Sequence, residues 1–322
     1  MPLISPPPVI GHRCARAFAP ENTLAGLSRA VALRDAWLEP TSPPGTWTAK
    51  PSSPPLWVEV DVQLTADGVP VLLHDSTLER TTDGHGSIAD MKWAEIQRLD
   101  AGRHFDAVFG GEPIPSLEAF LRAALVSGVG VNLELKATPD HAEFLTRMVL
   151  EVARAVWHSD PSTPDASLPT PLFLSSFVPD ALATAARLAP DWPRGLLLDR
   201  IEPGWADNAR RVEAVAIVVD HRLLTSPDAV TALGVDDRAV LAYTVNDPAR
   251  ATQLRRWGVA SIMTDRPDAE MAAAMAVKIR LTENNFIYGS MVTSCDGRGH
   301  NKHHGVTGSA LSVTHSMIGR VP

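Results

Sequence analysis

Apolar residues fall along this chain in short strand-like runs, separated by longer stretches rich in alanine and leucine. That alternation is expected of an α/β protein with a parallel sheet. The strand-like runs are 9–11, 56–62, 69–74, 130–135, 172–176, 195–198, 214–219, 240–245 and 261–263. Spacings of three and four residues predict helices over 21–36, 117–126, 141–156, 179–188, 226–233 and 248–257, the first of them preceded by Pro20. Only an Asp67-Gly68 turn separates the second and third runs, which is too short for a crossover helix. These two are therefore expected to form an antiparallel hairpin. Setting the hairpin partner aside leaves eight parallel-compatible strands over roughly 265 residues, the number and size of a closed barrel. The expected fold is a distorted (β/α)8 TIM-type barrel with a β-hairpin excursion after the second strand. An open doubly wound sheet has the same grammar. However, no G-x-G-x-x-G follows the first strand and no G-x-x-x-x-G-K-[ST] occurs, which weakens nucleotide-binding readings.

Two stretches break the pattern. Residues 40–55 hold six prolines, including Pro43-Pro44-Gly45 and Pro54-Pro55, and read as an exposed loop. After a helical run at Met271–Ala276 the chain becomes polar and rich in Gly, His and Ser up to Pro322. The expected organisation is thus a barrel domain over 1–275 and a disordered or atypical tail over 276–322. Cys295, His300, His303 and His304 lie in that tail at a spacing that matches no standard metal pattern.

Composition narrows the class. The 322 residues are 45% hydrophobic, enough for one large core. The formal charge of −8 argues against a broad nucleic-acid-binding face. Two cysteines, Cys14 and Cys295, make no disulfide framework and fit a reducing compartment. Neither a basic-then-apolar leader nor an apolar run of spanning length is legible, so the expectation is a cytoplasmic protein without stable membrane insertion.

The candidate chemistry is positional. His12-Arg13 ends the first strand, Glu59 and Asp61 close the second, His74-Asp75 ends the hairpin strand, and Glu134 and Lys136 end the next. In a barrel the C-terminal strand ends meet on one face, where the active site lies. Residues two apart on a strand point the same way, so Glu59 with Asp61, and Glu134 with Lys136, can share one cavity. Taken alone, a Glu-x-Asp serves ordinary salt bridges. Here both alternations lie in otherwise apolar strands, and burying such charge without a partner is costly. Three converging carboxylates call for an offsetting hard cation, Mg²⁺ or Ca²⁺. His12 and His74 suit general acid–base work, and Arg13 and Lys136 suit phosphoryl oxygens. Ser175 is placed either to touch substrate or to serve core or turn packing, and Phe177 and Tyr243 either to wall an organic moiety or simply to fill the barrel. The Thr81–Gly86 stretch reads either as a loop over the site mouth or as a surface turn, and His85 within it is set aside as an acid–base group. Asp265 and Arg266 are expected to pair with each other.

Taken in order, these residues resemble the glycerophosphodiester phosphodiesterase family. The matching pieces are His12-Arg13, Pro20-Glu21-Asn22-Thr23, Glu59-Val60-Asp61-Val62 and Thr65-x-Asp67-Gly68-x-Pro70-Val71-x-x-His74-Asp75. Further on come Leu78-x-Arg80-Thr81-Thr82-x-Gly84-x-Gly86, Ile114-Pro115-Ser116-Leu117-Glu118, Asn132-Leu133-Glu134-Leu135-Lys136, Ser175-x-Phe177, Tyr243-Thr244-Val245-Asn246 and Thr264-Asp265-Arg266-Pro267. The resemblance spans about residues 9–270 and implies metal-dependent hydrolysis of small glycerophosphodiesters to sn-glycerol 3-phosphate and an alcohol. It implies one divalent cation, Mg²⁺ or Ca²⁺, on Glu59, Asp61 and Glu134, acid–base roles for His12 and His74, and phosphate contacts from Arg13 and Lys136. Glu21 matches a motif carboxylate that would orient Arg13 or His12. Attack by water and attack by the substrate's own 2-hydroxyl both remain open, as does the oligomeric state. Lysophospholipase D-like cleavage on the same fold, and an inactive barrel kept as a binding module, are the alternatives. The chain departs from the family pattern at Cys14, where glycine usually follows His-Arg, and at Tyr243, where tryptophan is usual.

Overall fold

The computed structural model describes residues 6–36, 56–158 and 172–268. The proline-rich stretch, the helix expected over Met271–Ala276 and the tail with its cysteine and histidines lie outside the described residues.

Strands β1 (Val9–Gly11), β2 (Trp57–Leu64), β4 (Gly130–Leu135), β5 (Leu172–Ser176), β6 (Arg194–Leu198), β7 (Ala216–Asp220), β8 (Ala239–Tyr243) and β9 (Ser261–Thr264) pair in parallel, each with its neighbour. β1 pairs with both β9 and β2, which closes the eight into a barrel. Strand β3 (Pro70–Leu72) runs antiparallel to β2, as the short Asp67-Gly68 turn requires. Helices α1 (Leu24–Ala36), α3 (Leu117–Val126), α4 (Ala142–His158), α5 (Pro179–Leu188), α6 (Trp205–Arg211), α7 (Pro227–Leu233) and α8 (Pro248–Arg256) connect the parallel strands. The short α2 (Trp93–Ile96) belongs to the excursion after β3. That excursion has a small core of its own, built on Val71, Leu73, Leu78, Ile88, Ile96, Ala101 and Ile114.

The two-residue period of the strands sorts side chains between two environments. On β2, Val58, Val60 and Val62 face outward and pack with the β4 residues Val131, Leu133 and Leu135 against the helices. Trp57 belongs instead to an interior cluster with Ile10, Phe173, Leu197, Val218, Leu241 and Met263. Glu59 and Asp61 follow Trp57 on the same face, above an apolar floor. Gly130 makes room for that floor, because a Cβ there would lie 2.4 Å from the Trp57 ring.

One expected boundary and one helix differ from the expectation for physical reasons. Helix α1 begins at Leu24, not near Glu21. The Thr23 hydroxyl accepts from the Gly26 amide at 3.0 Å and so caps the helix. Asn22 is held at φ +59, outside the helix, where it and Glu21 bond to other strand ends. Helix α6 was not expected: its sequence, WADNARR, is mostly polar and buries only Ala209, so no apolar three- and four-residue spacing marks it.

Cys14 adopts φ +74, the left-handed region that favours glycine. Its side chain is fully buried in the outer apolar cluster that also holds Leu27, Ala30 and Val58, with Sγ 4.0 Å from the Thr23 carbonyl, and burial together with the nearby Glu59 and Asp61 pushes its thiol pKa well up. Replacing Cys14 with glycine should relieve about 1 kcal/mol of backbone strain and lose a buried thiol of similar worth. Thermal denaturation should therefore place Cys14→Gly within about 3 °C of wild type. Cys14→Val, β-branched at positive φ, should melt at least about 4 °C lower.

Candidate active site at the barrel mouth

The register of β2 against β4 sets the centre. Asp61 lies opposite Glu134, and Glu59 opposite Asn132. One oxygen from each of Glu59, Asp61 and Glu134 lies within 4.8 Å of the others. Glu59 and Asp61 are almost completely buried. Burial, with Asp61 and Glu134 close by, pushes the Glu59 carboxyl well above its ordinary range. Burial and Asp61 push Glu134 up to about 7. For Asp61, burial acts in the same upward direction, yet Lys136 and Arg13 hold it below its usual value. Glu59 Oε1 and Asp61 Oδ1 accept no hydrogen bond although both are buried. Clustered carboxylate oxygens with open lone pairs are the donor set that hard divalent cations take, so this cluster can hold one.

Cationic groups surround the cluster. Lys136 Nζ lies 2.9 Å from Glu134 Oε1 and 3.5 Å from Asp61 Oδ1. Arg13 is turned inward by a left-handed backbone, φ +46, and its amide donates to Glu59 Oε2 at 2.9 Å. Its side chain donates to Glu21 Oε1 at 2.7 Å, with Nε 3.4 Å from Asp61 Oδ2. Asn22, which sequence reasoning left without a role, donates to Asp61 Oδ2 at 2.8 Å and accepts from the Asp61 amide. Glu21 is a buried junction: Arg13, Arg16 and Arg80 all pair with it. Burial opposes its ionisation, but Arg80 and Arg13 hold it down to about 2.

Both histidines sit in this ring, and each has an aspartate on Nδ1. The pairing Gly11↔Thr264 sets the next two residues side by side, and His12 Nδ1 meets Asp265 Oδ1 at 2.6 Å. His74 Nδ1 meets Asp75 Oδ1 at 2.6 Å. A carboxylate on Nδ1 selects the tautomer with its proton there and leaves Nε2 as the acceptor. His12 Nε2 is 3.9 Å from Glu59 Oε2. Burial lowers the His74 pKa, more than Asp61 raises it.

Asp265 therefore does not pair with Arg266 as expected. Its other oxygen accepts from Asn246 at 2.7 Å, while Arg266 lies over the Phe18 ring and 4.0 Å from Asp268. The register of β1 against β9 puts Asp265 beside His12, and this is not visible along the chain. Asp75, Arg80, Asn246 and Asp265 all stood in the quoted motifs, and only their partners were illegible.

The remaining expected residues lie on β5, just after it, and on β8. Ser175 is fully buried, and its hydroxyl donates to Asn132 Oδ1 at 2.9 Å. Phe177 and Tyr243 meet edge to face with centroids 6.1 Å apart, and the Tyr243 hydroxyl donates to the Leu198 carbonyl at 3.1 Å. Thr81 and Thr82 are buried, with Thr82 Oγ1 donating to the Leu78 carbonyl, so this turn is braced from within. His85 is exposed.

Comparison with known proteins gives the same assignment. The model of the "Glycerophosphoryl diester phosphodiesterase family" matches residues 57–269. A glycerophosphodiester phosphodiesterase of Caldanaerobacter subterraneus is 29% identical over 266 residues, covering 81% of this chain and 94% of the relative. Among solved structures, a phosphodiesterase of Oleispira antarctica, in complex with the product sn-glycerol-3-phosphate, is 31% identical with a TM-score of 0.70; the match covers 83% of this chain and 96% of that one. A glycerophosphodiester phosphodiesterase of Agrobacterium tumefaciens is 27% identical with a TM-score of 0.60, over 82% of this chain and 98% of that one. Among the described residues no helix is long and apolar enough to cross a membrane. With this fold, this ring of charge and these relatives, the chain is an enzyme of the glycerophosphoryl diester phosphodiesterase family.

Proposed function

We propose that this enzyme hydrolyses small glycerophosphodiesters to sn-glycerol 3-phosphate and an alcohol, with His12 and His74 as its acid–base pair. The observation that carries this reading is the matched anchoring of the two imidazoles. Each is fixed at Nδ1 by an aspartate, beside one carboxylate cluster that Arg13 and Lys136 flank. The product held by the Oleispira antarctica phosphodiesterase supports the substrate class.

Glu59, Asp61 and Glu134 are the proposed ligands of a Mg²⁺ or Ca²⁺ ion. Such an ion would neutralise the cluster and withdraw charge from the phosphoryl group. Arg13 and Lys136 supply positive charge to the phosphoryl oxygens, Arg13 through its fork and Lys136 as a point charge. Glu21 keeps the Arg13 guanidinium in place from the far side. His74, whose pKa burial lowers, starts neutral and takes a proton at Nε2 from the attacking hydroxyl. His12 delivers a proton to the departing alkoxide, and Asp265 on its Nδ1 stabilises the imidazolium that acts as the donor. Phe177 and Tyr243 wall the space for the organic moiety. Ser175 contributes through Asn132, which it braces beside Glu59. The barrel, residues 1–275, carries the activity, and the cysteine usage favours a reducing, cytoplasmic setting.

A coupled assay for released glycerol 3-phosphate, run on glycerophosphocholine and glycerophosphoethanolamine, tests this reading. His12→Ala and His74→Ala should each lower kcat by about 10²–10⁴. Chelator should abolish turnover, and Mg²⁺ or Ca²⁺ should restore it. Full activity in chelator, or in His12→Ala, would sink the mechanism.

The cation should also bind more tightly as pH rises. Glu134 has its folded pKa raised from 4.5 to about 7, so the stability it contributes is present below pH 4.5 and fades as pH climbs through 7. A divalent ion must displace that proton, so affinity grows over the same window. Calorimetric titration should show binding at least about tenfold tighter at pH 8 than at pH 5.5, with proton release at the lower pH. Affinity that stays flat would count against the three-carboxylate site.

A further inference from the structure

Arg80, on the excursion after β3, is not adjacent in sequence to any group of the proposed mechanism. In space it joins two of them. Its Nε and Nη2 donate to the two oxygens of Asp75, the Nη2 bond being 3.0 Å. Its Nη1 and Nη2 donate to the two oxygens of Glu21 at 3.0 and 2.8 Å. Asp75 Oδ1 is the same atom that meets His74 Nδ1. We infer that Arg80 is a positioning residue for His74: braced by the buried Glu21, its guanidinium fixes the Asp75 carboxylate that orients the imidazole.

The geometry separates this role from that of a surface ion pair. Asp75 and Arg80 are both partly exposed, and a lone pair of that kind contributes little to stability. Here the guanidinium serves two carboxylates at once and spends four hydrogen bonds on them, which only a planar fork can do. Glu21 is in turn held by Arg13 and Arg16, so the brace is anchored to the turn after β1. Without Arg80 the Asp75 carboxylate is free to rotate into water, and the His74 ring loses its fixed edge. Lysine, with one ammonium, cannot reach both carboxylates in this way.

The inference rests on the acid–base reading of His74, and the experiment keeps the two apart. Arg80→Gln and Arg80→Lys are compared with wild type, with His74→Ala, and with the matching double variants, by steady-state kinetics on glycerophosphoethanolamine. Thermal denaturation and the proton NMR signal of the His74 Nδ1–H are recorded alongside. The expected result is a 10–100-fold fall in kcat for both single variants, with KM within about threefold and melting close to wild type. The double variants should be no slower than His74→Ala, because the loss passes through that ring. The downfield His74 resonance should broaden or shift in Arg80→Gln and Arg80→Lys. Wild-type kcat in Arg80→Gln, a rise in KM at constant kcat, a further loss on top of His74→Ala, or an unmoved resonance would each overturn the inference. His74→Ala with undiminished kcat would instead overturn the acid–base reading. If Arg80→Gln does not fold, Arg80→Lys and its resonance decide.

Discussion

Three carboxylates meet at the C-terminal mouth of this barrel, two of them buried, with open lone pairs turned toward one another. Like charges so close, removed from water, repel strongly enough to shift their own ionisation; Glu59 and Glu134 are both driven toward the protonated form. Much of the surrounding architecture offsets this repulsion. Lys136 stands two residues beyond Glu134 on the same face, Arg13 is bent inward on a left-handed turn, and Asn22 leaves helix α1 to bond Asp61. Such an arrangement is poor for stability and well suited to a cation and an anionic ester.

The positive groups need restraint of their own. Glu21 provides it, gathering Arg13, Arg16 and Arg80 on one buried carboxylate. Around this junction the rim alternates in sign: Arg80 leads to Asp75 and His74, while Arg16 lies 3.9 Å from the Asp265 that holds His12. Charges shared across a network of this kind lose less side-chain freedom per contact than isolated pairs. The network also ties three loops from distant parts of the chain, those after β1, β3 and β9, into one rim.

Beneath the rim the barrel is ordinary in its physics. Valines and leucines on alternate positions of β2 and β4 fill the layer under the helices, and Trp57 and Phe173 form an apolar floor. This rigid floor fixes how far apart the charged residues stand, because each strand delivers its side chains at a set height.

The sequence alone determined the strand count, the hairpin and the face on which the charges lie. Each follows from a local rule, a two-residue period or a turn too short for a helix. It also marked Glu59, Asp61, Glu134, Lys136 and both histidines, since charge at the ends of apolar strands is costly enough to be informative. It could not say which aspartate serves which histidine. His12 and Asp265 are 253 residues apart and meet only because β1 closes the barrel against β9. Likewise Arg80 reaches Glu21 across 59 residues, and the expected helix start at Glu21 gave way once that side chain was needed elsewhere. Hydrogen-bond partners across a closed barrel depend on register, and register is a property of the assembled sheet, not of any one strand.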